Sequence, residues 1–248
     1  MNATHRFLAA CSLALASAYA CAEAEKEFTE DFPLASCWFA SIGGNPYFPL
    51  VPGRQTYFSN SACVASGECE ELNELWITVE REIKPIALPV GDRTRTVYSR
   101  VIEERETEDG ELTEISRNFV ADCFPSHDVY YFGEEVDIYE DGEVVSHDGA
   151  WLAGRNGAMP GILMPDSGFI VGSRYFQEVA PDVALDRAEH LRSGFSVQVP
   201  AGTFHHCVEV GETTPLEPGA ESSKVYCRGV GLVRDDELEL TAIYGRRH

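Results

Sequence analysis

Apolar and polar residues alternate with a period of two over much of this chain. Leu75, Ile77 and Val79 share one face of a segment whose other face carries Trp76 and Thr78. Phe195, Val197 and Val199 alternate with Ser196 and Gln198, and Leu238, Leu240 and Ala242 with Glu239 and Thr241. Successive side chains of a strand point to opposite faces, so this pattern predicts half-buried strands. Asp109-Gly110 and Asp141-Gly142 supply the positive φ that tight hairpins need. The first is expected to join strands over 98–106 and 112–121, the second 136–140 and 143–146. Asp148-Gly149 predicts a further turn before Trp151.

Two stretches depart from the alternation. Over 182–192, Pro181 and Asp182 provide a start signal and Ala184, Ala188 and Leu191 fall on one helical face, which predicts a short helix. Between Asn156 and Ser173 lie four glycines and two prolines. A long irregular loop is expected there, pinned by Met159, Ile162, Leu163 and Met164, and loops of that kind often form a lid or rim. Adjacent aromatics recur at Trp38-Phe39, Tyr47-Phe48, Tyr57-Phe58, Tyr130-Tyr131-Phe132 and Tyr175-Phe176. On a strand, neighbours face opposite ways, so these pairs imply either a second core or an apolar groove. The predicted fold is mostly β: an antiparallel curved sheet, half-barrel or barrel, with at most one short helix.

The N-terminus has a different character. Arg6 precedes a small, apolar, alanine-rich run, the layout of a signal peptide over residues 1–22. Ala18-Tyr19-Ala20 would permit cleavage before Cys21, and Ala20-Cys21-Ala22 cleavage before Glu23. Lipidation of Cys21 or Cys11 is a further alternative. No later stretch has the ~20 uncharged apolar residues of a membrane-spanning helix. Residues 23–44 are expected as an acidic N-terminal segment and 45–248 as a single β domain in the periplasm or outside the cell. Lys and Arg number 19 against 41 Asp and Glu, for a formal net charge of −22. That field argues against nucleic acid and anionic membrane surfaces as partners and fits a well-solvated secreted protein. An apolar share of 44% is ample for a core.

Six of the eight cysteines lie beyond the leader, and in an exported chain they read as a disulfide framework. Cys207 and Cys227 fall on strands expected to be sequential neighbours. A bridge closing about 20 residues would contribute roughly 3 kcal/mol in the chain-entropy model. Cys63 and Cys69 flank a turn containing Gly67 and suit a local clamp. Cys37 and Cys123 remain, and would tie the N-terminal segment to a central strand.

Reactive constellations are few. His205, Cys207 and Glu209 share a strand face near Cys227 and could hold zinc or copper, but a disulfide beside a histidine accounts for them better. Cys123 and His127 carry the same ambiguity across a turn at Pro125-Ser126. Asp141-Gly142 and Asp148-Gly149 lack the spacing of a calcium loop. There is no nucleophile elbow, zincin motif or phosphate-cradling glycine loop. The many acids could supply a glycosidase-type pair anywhere, and most are better explained by solvation. No cofactor or metal and no catalytic residue is therefore expected.

Four blocks of sequence carry a resemblance. They are Asn45-Pro46-Tyr47-Phe48-Pro49-Leu50 with Pro52-Gly53, and Val129-Tyr130-Tyr131-Phe132-Gly133-Glu134. The third runs from Gly149-Ala150-Trp151-Leu152-Ala153-Gly154 through Gly157-Ala158-Met159-Pro160-Gly161-Ile162-Leu163-Met164-Pro165. The fourth is Pro215-Leu216-Glu217-Pro218-Gly219 with Gly229-Val230-Gly231-Leu232-Val233. Together they resemble an uncharacterised family of exported bacterial proteins, which has no assigned activity and so implies no residue roles. The stretch Ala121-Asp122-Cys123-Phe124-Pro125-Ser126-His127-Asp128 departs from that pattern. Val199-Pro200-Ala201-Gly202-Thr203-Phe204, with the later Gly229–Val233 block, is similar to curved-sheet periplasmic proteins of the lipoprotein-carrier type, which implies a sheet wrapped around an apolar ligand.

The expected function is that of a non-enzymatic exported binding protein, with an apolar small molecule or an envelope protein as partner. The rivals are a secreted carboxylate-dependent hydrolase, for which His127, His147 or His190 beside a buried acid would speak, and a cell-envelope interaction module.

Overall fold

The computed structural model describes residues 27–166 and 168–245; the expected signal segment, Cys11 and Cys21 lie outside them. The described chain is built from strands β1 (Trp38–Ala40), β2 (Gln55–Ser59), β3 (Asn73–Val90), β4 (Arg93–Glu108), β5 (Glu111–Phe124) and β6 (Asp128–Glu140). There follow β7 (Glu143–Ser146), β8 (Trp151–Leu152), β9 (Met159–Met164), β10 (Arg174–Phe176) and β11 (Glu178–Val179). The series ends with β12 (Arg187–Val199), β13 (Gly202–Thr213), β14 (Glu221–Cys227), β15 (Gly231–Asp235) and β16 (Leu238–Tyr244). One short helix, α1 (Ser61–Ser66), interrupts them, and Leu34–Ser36 make a 3-10 turn.

All the paired strands form one antiparallel sheet in the order β10-β12-β13-β14-β15-β16-β2-β3-β4-β5-β6-β9-β11, with β1 beside β5 and β7 and β8 beside β6. The fold is mostly β, and the sheet is not closed into a barrel by strand pairing. Its two ends nevertheless meet. β10 pairs β12 at one edge, β11 pairs β9 at the other, and only Gln177 separates β10 from β11 in the chain. The curl is thus completed by covalent continuity where hydrogen bonding stops.

Gly161 in β9 makes that junction possible. A Cβ there would stand 2.3 Å from the Phe176 carbonyl oxygen and 2.6 Å from the Gln177 carbonyl carbon. Both are backbone atoms that cannot swing aside. Gly161→Ala is therefore expected to lower stability by about 3 kcal/mol, at the top of the usual overpacking range because the obstacle is main chain. A urea midpoint unchanged from wild type would contradict this account of the junction.

Hairpin turns set the register as their sequence dictates. Asp109 and Gly110 take φ of 49° and 87°, Asp141 and Gly142 φ of 50° and 80°, and each pair links neighbouring strands. The expected helix over 182–192 is not formed. Asp182 has φ of 62°, Ala184 bridges back to Ala180, and β12 starts at Arg187. Ala188 and His190 are buried on one face while Leu191 is exposed, which is a strand's period of two. The expected long loop is also shorter, because Met159–Met164 pair with β6 and bury Met164. From the N-terminal segment, Leu34, Cys37 and Phe39 pack into the core.

Apolar residues gather on both faces of the sheet. One face carries Val101, Phe119, Tyr130 and Phe132, covered by the N-terminal segment and by Ile86, Leu88 and Val97 from the far end of the β3–β4 hairpin. The other carries Ile102, Val120, Val129, Met164, Val208 and Tyr226 inside the curl. A third cluster joins Phe58, Leu75 and Leu240 to Val197, Val199 and the Cys207–Cys227 bridge. Irregular register at Val79/Ile83 in β3, and at three places in β12, lies between these regions, as expected of bulges that bend long hairpins. The adjacent aromatics divide accordingly: Tyr130 and Phe132 belong to the first cluster, Tyr131 borders the second, and Tyr57 stacks on Trp76 while Phe58 is buried.

Three disulfides fasten this arrangement: Cys37–Cys123, Cys63–Cys69 and Cys207–Cys227. Cys207 and Cys227 stand directly opposite each other on β13 and β14. Cys63 lies in α1, whose C-terminus is closed by Gly67 at φ 80°. Such bridges point to an oxidising compartment. Among the described residues, no helix is long and apolar enough to cross a membrane.

Candidate functional site: an acid-lined cavity inside the curled sheet

The inward face changes character along the strands. Val79, Ile102, Val120, Tyr131, Tyr226 and Leu232 form one level of the wall. In register these are near neighbours: Val79 opposes Ile102, Val120 opposes Tyr131 and Tyr226 opposes Leu232. One step further along the same strands the positions become charged. Ile102 is followed on its own face by Glu104 and Glu106, Tyr226 is preceded by Lys224, and Leu232 is succeeded past a bulge by Asp235. Glu106 lies directly opposite Glu114. Between these levels is a cavity of about 280 Å³.

Two loops shape the apolar end. Asn45 is buried and satisfied on every side: its amide N–H groups donate to the carbonyls of His127 (2.9 Å) and Met164 (3.1 Å). Its carbonyl oxygen accepts from the backbone N–H of Tyr47 (2.9 Å) and Phe48 (3.0 Å). This Asx-type turn places Phe48 and Pro49 in the cavity wall beside Val230 and Gly231. Gly229 N–H donates to Pro46 O at 2.7 Å and joins the two loops. The first and last of the four sequence blocks therefore make the cavity's apolar end. At the other end Glu106 and Asp186 are exposed, which puts the opening on the acidic side.

Eight carboxylates line this space: Glu104, Glu106 and Glu114 from the β4–β5 hairpin, Glu134 from β6, Glu178 and Asp186 near the sheet junction, Glu212 from β13 and Asp235 from β15. Only Lys224 and Arg54 bring positive charge to the lining. Lys224 Nζ sits 2.8 Å from Glu212 and 3.9 Å from Asp235. Burial opposes its charge, but Glu212 and Asp235 outweigh that and hold it ionised. Glu212 also accepts from Gln177 Nε2 at 2.9 Å, and Glu178 from the Asp186 backbone N–H at 2.6 Å. The Arg54 guanidinium donates to Val230 O.

Three acids of β4 and β5 lack such partners: among the described residues no donor hydrogen-bonds Glu104, Glu106 or Glu114. Glu134 has the Tyr131 hydroxyl and the Trp151 indole beside it. Glu104 is half-buried as a residue because its side chain borders the cavity, yet its carboxyl group lies deep within the protein. Burial pushes it up to about 7; Lys224 pulls it down, and Glu106, Asp235 and Glu134 push it further up. Glu134 is likewise raised to about 7 by burial, opposed by Tyr131 and reinforced by Glu114. Asp235 is raised by burial to about 6 despite Lys224. Burial also raises Glu106, Glu114, Asp186 and, most strongly, Glu178. Near neutral pH the cavity thus holds more carboxyl groups than its two cations can balance, and part of the difference is carried by protons.

The arrangement is not the apolar hollow the sequence suggested. An uncharged apolar ligand would fill one end and leave the carboxylates desolvated without partners. The acids are also spread along the wall: among the described residues no three His, Cys, Asp or Glu groups converge closely enough to hold a metal ion. A diffuse negative wall facing an apolar floor suits an organic cation with an apolar body.

The residues singled out from sequence lie elsewhere. Cys207 and Cys227 are spent in their disulfide. His205 Nδ1 pairs with Ser196 Oγ at 2.7 Å, and His206, at φ 55°, breaks the alternation that would align His205 with Glu209. His127 Nδ1 is 3.0 Å from the buried Asp122, which also accepts the Gly44 N–H, but neither residue lines the cavity. His147 bonds Val136 O and pairs with Asp137 at the surface. His190 lies between Tyr175 OH and Ile170 O and stacks on Phe169; burial lowers it to about 4 and keeps it neutral. None of the three histidines joins the acid wall. No family model, curated protein or solved structure matches this chain.

Proposed function

We propose that this chain is an exported, non-enzymatic binding protein whose ligand is a small organic ammonium ion with an apolar body. One observation carries the reading: a cavity of about 280 Å³ with eight carboxylates against two cations, and an apolar end formed by Phe48, Pro49, Val120 and Leu232. The volume is near the lower end of small-ligand sites, roughly 300–1,000 Å³, so the ligand is of metabolite size. The ammonium group would seat among Glu104, Glu106, Glu114 and Glu134, none of which forms an ion pair with a side chain among the described residues because Lys224 is turned to Glu212 and Asp235, and its body against the apolar floor. The disulfides and the signal-like leader support a periplasmic or secreted location.

Calorimetric titration with hexylamine, hexanol and hexanoate tests this. Hexylamine is expected to bind at least tenfold more tightly than hexanol, with hexanoate excluded, and Glu104→Gln should weaken hexylamine selectively. Equal binding of the amine and the alcohol would overturn the proposal.

A second reading rests on Glu104 and Glu134, both held at about 7 in one cavity, which is the condition for general acid–base work by a carboxylate-dependent hydrolase. Chemical change of a bound amine ester or amide during incubation, abolished by Glu104→Gln, would favour it over binding.

A further inference from the structure

Resting on the binding reading above, we infer that the cavity is a cation–proton exchanger: empty, it stores protons among Glu104, Glu106, Glu114 and Glu134, and a seated ammonium group drives them out to solvent. In the exchange a carboxyl O–H bond breaks and its proton goes to bulk water. The carboxylate left behind accepts N–H bonds from the incoming ammonium ion, so charge inside the cavity is unchanged.

The geometry supplies the reason. Glu106 and Glu114 face each other across the β4–β5 ladder, and Glu104 sits one step deeper on the same face. Like charges directly opposite on a sheet repel, and no described hydrogen-bond donor relieves these three. Glu134 enters from β6, one strand over, with Tyr131 beside it.

The rest of the wall adds more acid than base. Glu178 and Asp186 approach from the sheet junction, where Glu178 is almost wholly buried and takes one backbone N–H. Glu212, Asp235 and Tyr226 come from the β13–β15 wall, and Lys224 is committed to Glu212 and Asp235. Arg54 is turned to the Val230 carbonyl at the apolar end. The β4–β6 acids therefore have two ways to be neutralised, a proton or a cation from outside, and the two compete for the same oxygens. The upward displacement of Glu104 and Glu134 to about 7 places the competition at neutral pH.

Titration of hexylamine into the full mature chain, in phosphate and in Tris at the same pH, reads the exchange directly, because the difference in heat counts released protons. Alkylammonium stays charged throughout, as lysine's group does up to about pH 10. About one proton per ligand is expected to be released at pH 7 and almost none at pH 9, and affinity should fall nearly tenfold per pH unit below 6. Glu104→Gln should roughly halve the release at pH 7. Binding that releases no protons and is equally tight at pH 5.5 and 8 would overturn the exchange while leaving the binding proposal standing. Absence of binding at every pH would overturn both.

Discussion

Glu104→Gln is expected to raise the melting temperature of the empty protein at pH 8. The substitution keeps the size of the side chain and removes a charge that the fold holds at a cost. A carboxyl whose folded value is about 7 against an ordinary value of 4.5 binds a proton more readily folded than unfolded. Its ionisation therefore opposes folding: stability is greatest while both states are protonated, and declines as pH rises from about 4.5 through 7. Each unit of displacement is worth about 1.4 kcal/mol. Since Glu104 borders a water-accessible cavity, a gain on the order of 2 kcal/mol is expected above pH 8. For a chain of this size that is a rise of about 4–8 °C. At pH 5 the two proteins should differ much less. Thermal melts of both across pH 5–8 check this, and a variant that is less stable than wild type at pH 8 would show that Glu104 is a supporting contact rather than a site held for a ligand.

Removing the Cys37–Cys123 bridge, by Ser at both positions, is expected to produce the largest loss of stability of any of the three disulfides. It closes 86 residues, and the chain-entropy model gives roughly 4–5 kcal/mol for a loop of that length, against ~2 for the six-residue Cys63–Cys69 clamp and ~3 for Cys207–Cys227. A domain's whole stability is commonly about 5–15 kcal/mol. The bridge also has a local role. β1 pairs with the end of β5, Arg95 donates to the carbonyls of Leu34 (3.2 Å) and Cys37 (2.8 Å), and Phe39 packs edge-on against Tyr130 and Phe132. Without the crosslink this cover should open first. Urea unfolding and hydrogen exchange of the three paired variants order the costs. A smaller loss here than for Cys63–Cys69 would contradict the view that the N-terminal segment is a fastened part of the core.

Some of this was legible in the sequence because local chemistry decided it. Asp109-Gly110 and Asp141-Gly142 form turns wherever two strands want to pair, and the alternation at Leu75–Val79 needs no tertiary information. The segment over 182–192 was misleading because Ala184, Ala188 and Leu191 fit a helical face by spacing. The open edge of β13 outweighs that weak preference, since pairing Ala188 with Glu212 buries the Ala188 side of the strand. Gly161 and its neighbours read as loop because glycine and proline usually end strands; here glycine is present so that the sheet's two ends can meet.

The acid wall was hidden for a different reason. In Ile102-Glu103-Glu104-Arg105-Glu106 both faces of the strand are charged beyond Ile102, so alternation does not say which carboxylates look inward. Only the curl, with Glu134, Glu212 and Asp235 arriving from other strands, separates Glu104 from Glu103, which pairs with Arg117 on the opposite face. The signal available beforehand was phase: Glu104 and Glu106 continue the face of Ile102, and Glu114 the face of Val120. Ser116 and Asn118, which precede Val120 on that face, were a hint that the inward side turns polar.

The central claim is that the cavity is made for an organic cation, and the most direct measurement is the calorimetric affinity of hexylamine relative to hexanol at pH 8, above the value of about 7 held by Glu104 and Glu134. The account predicts at least a tenfold preference for the amine, reduced in Glu104→Gln. Identical affinities, or an amine that binds the variant as well as the wild type, would contradict it.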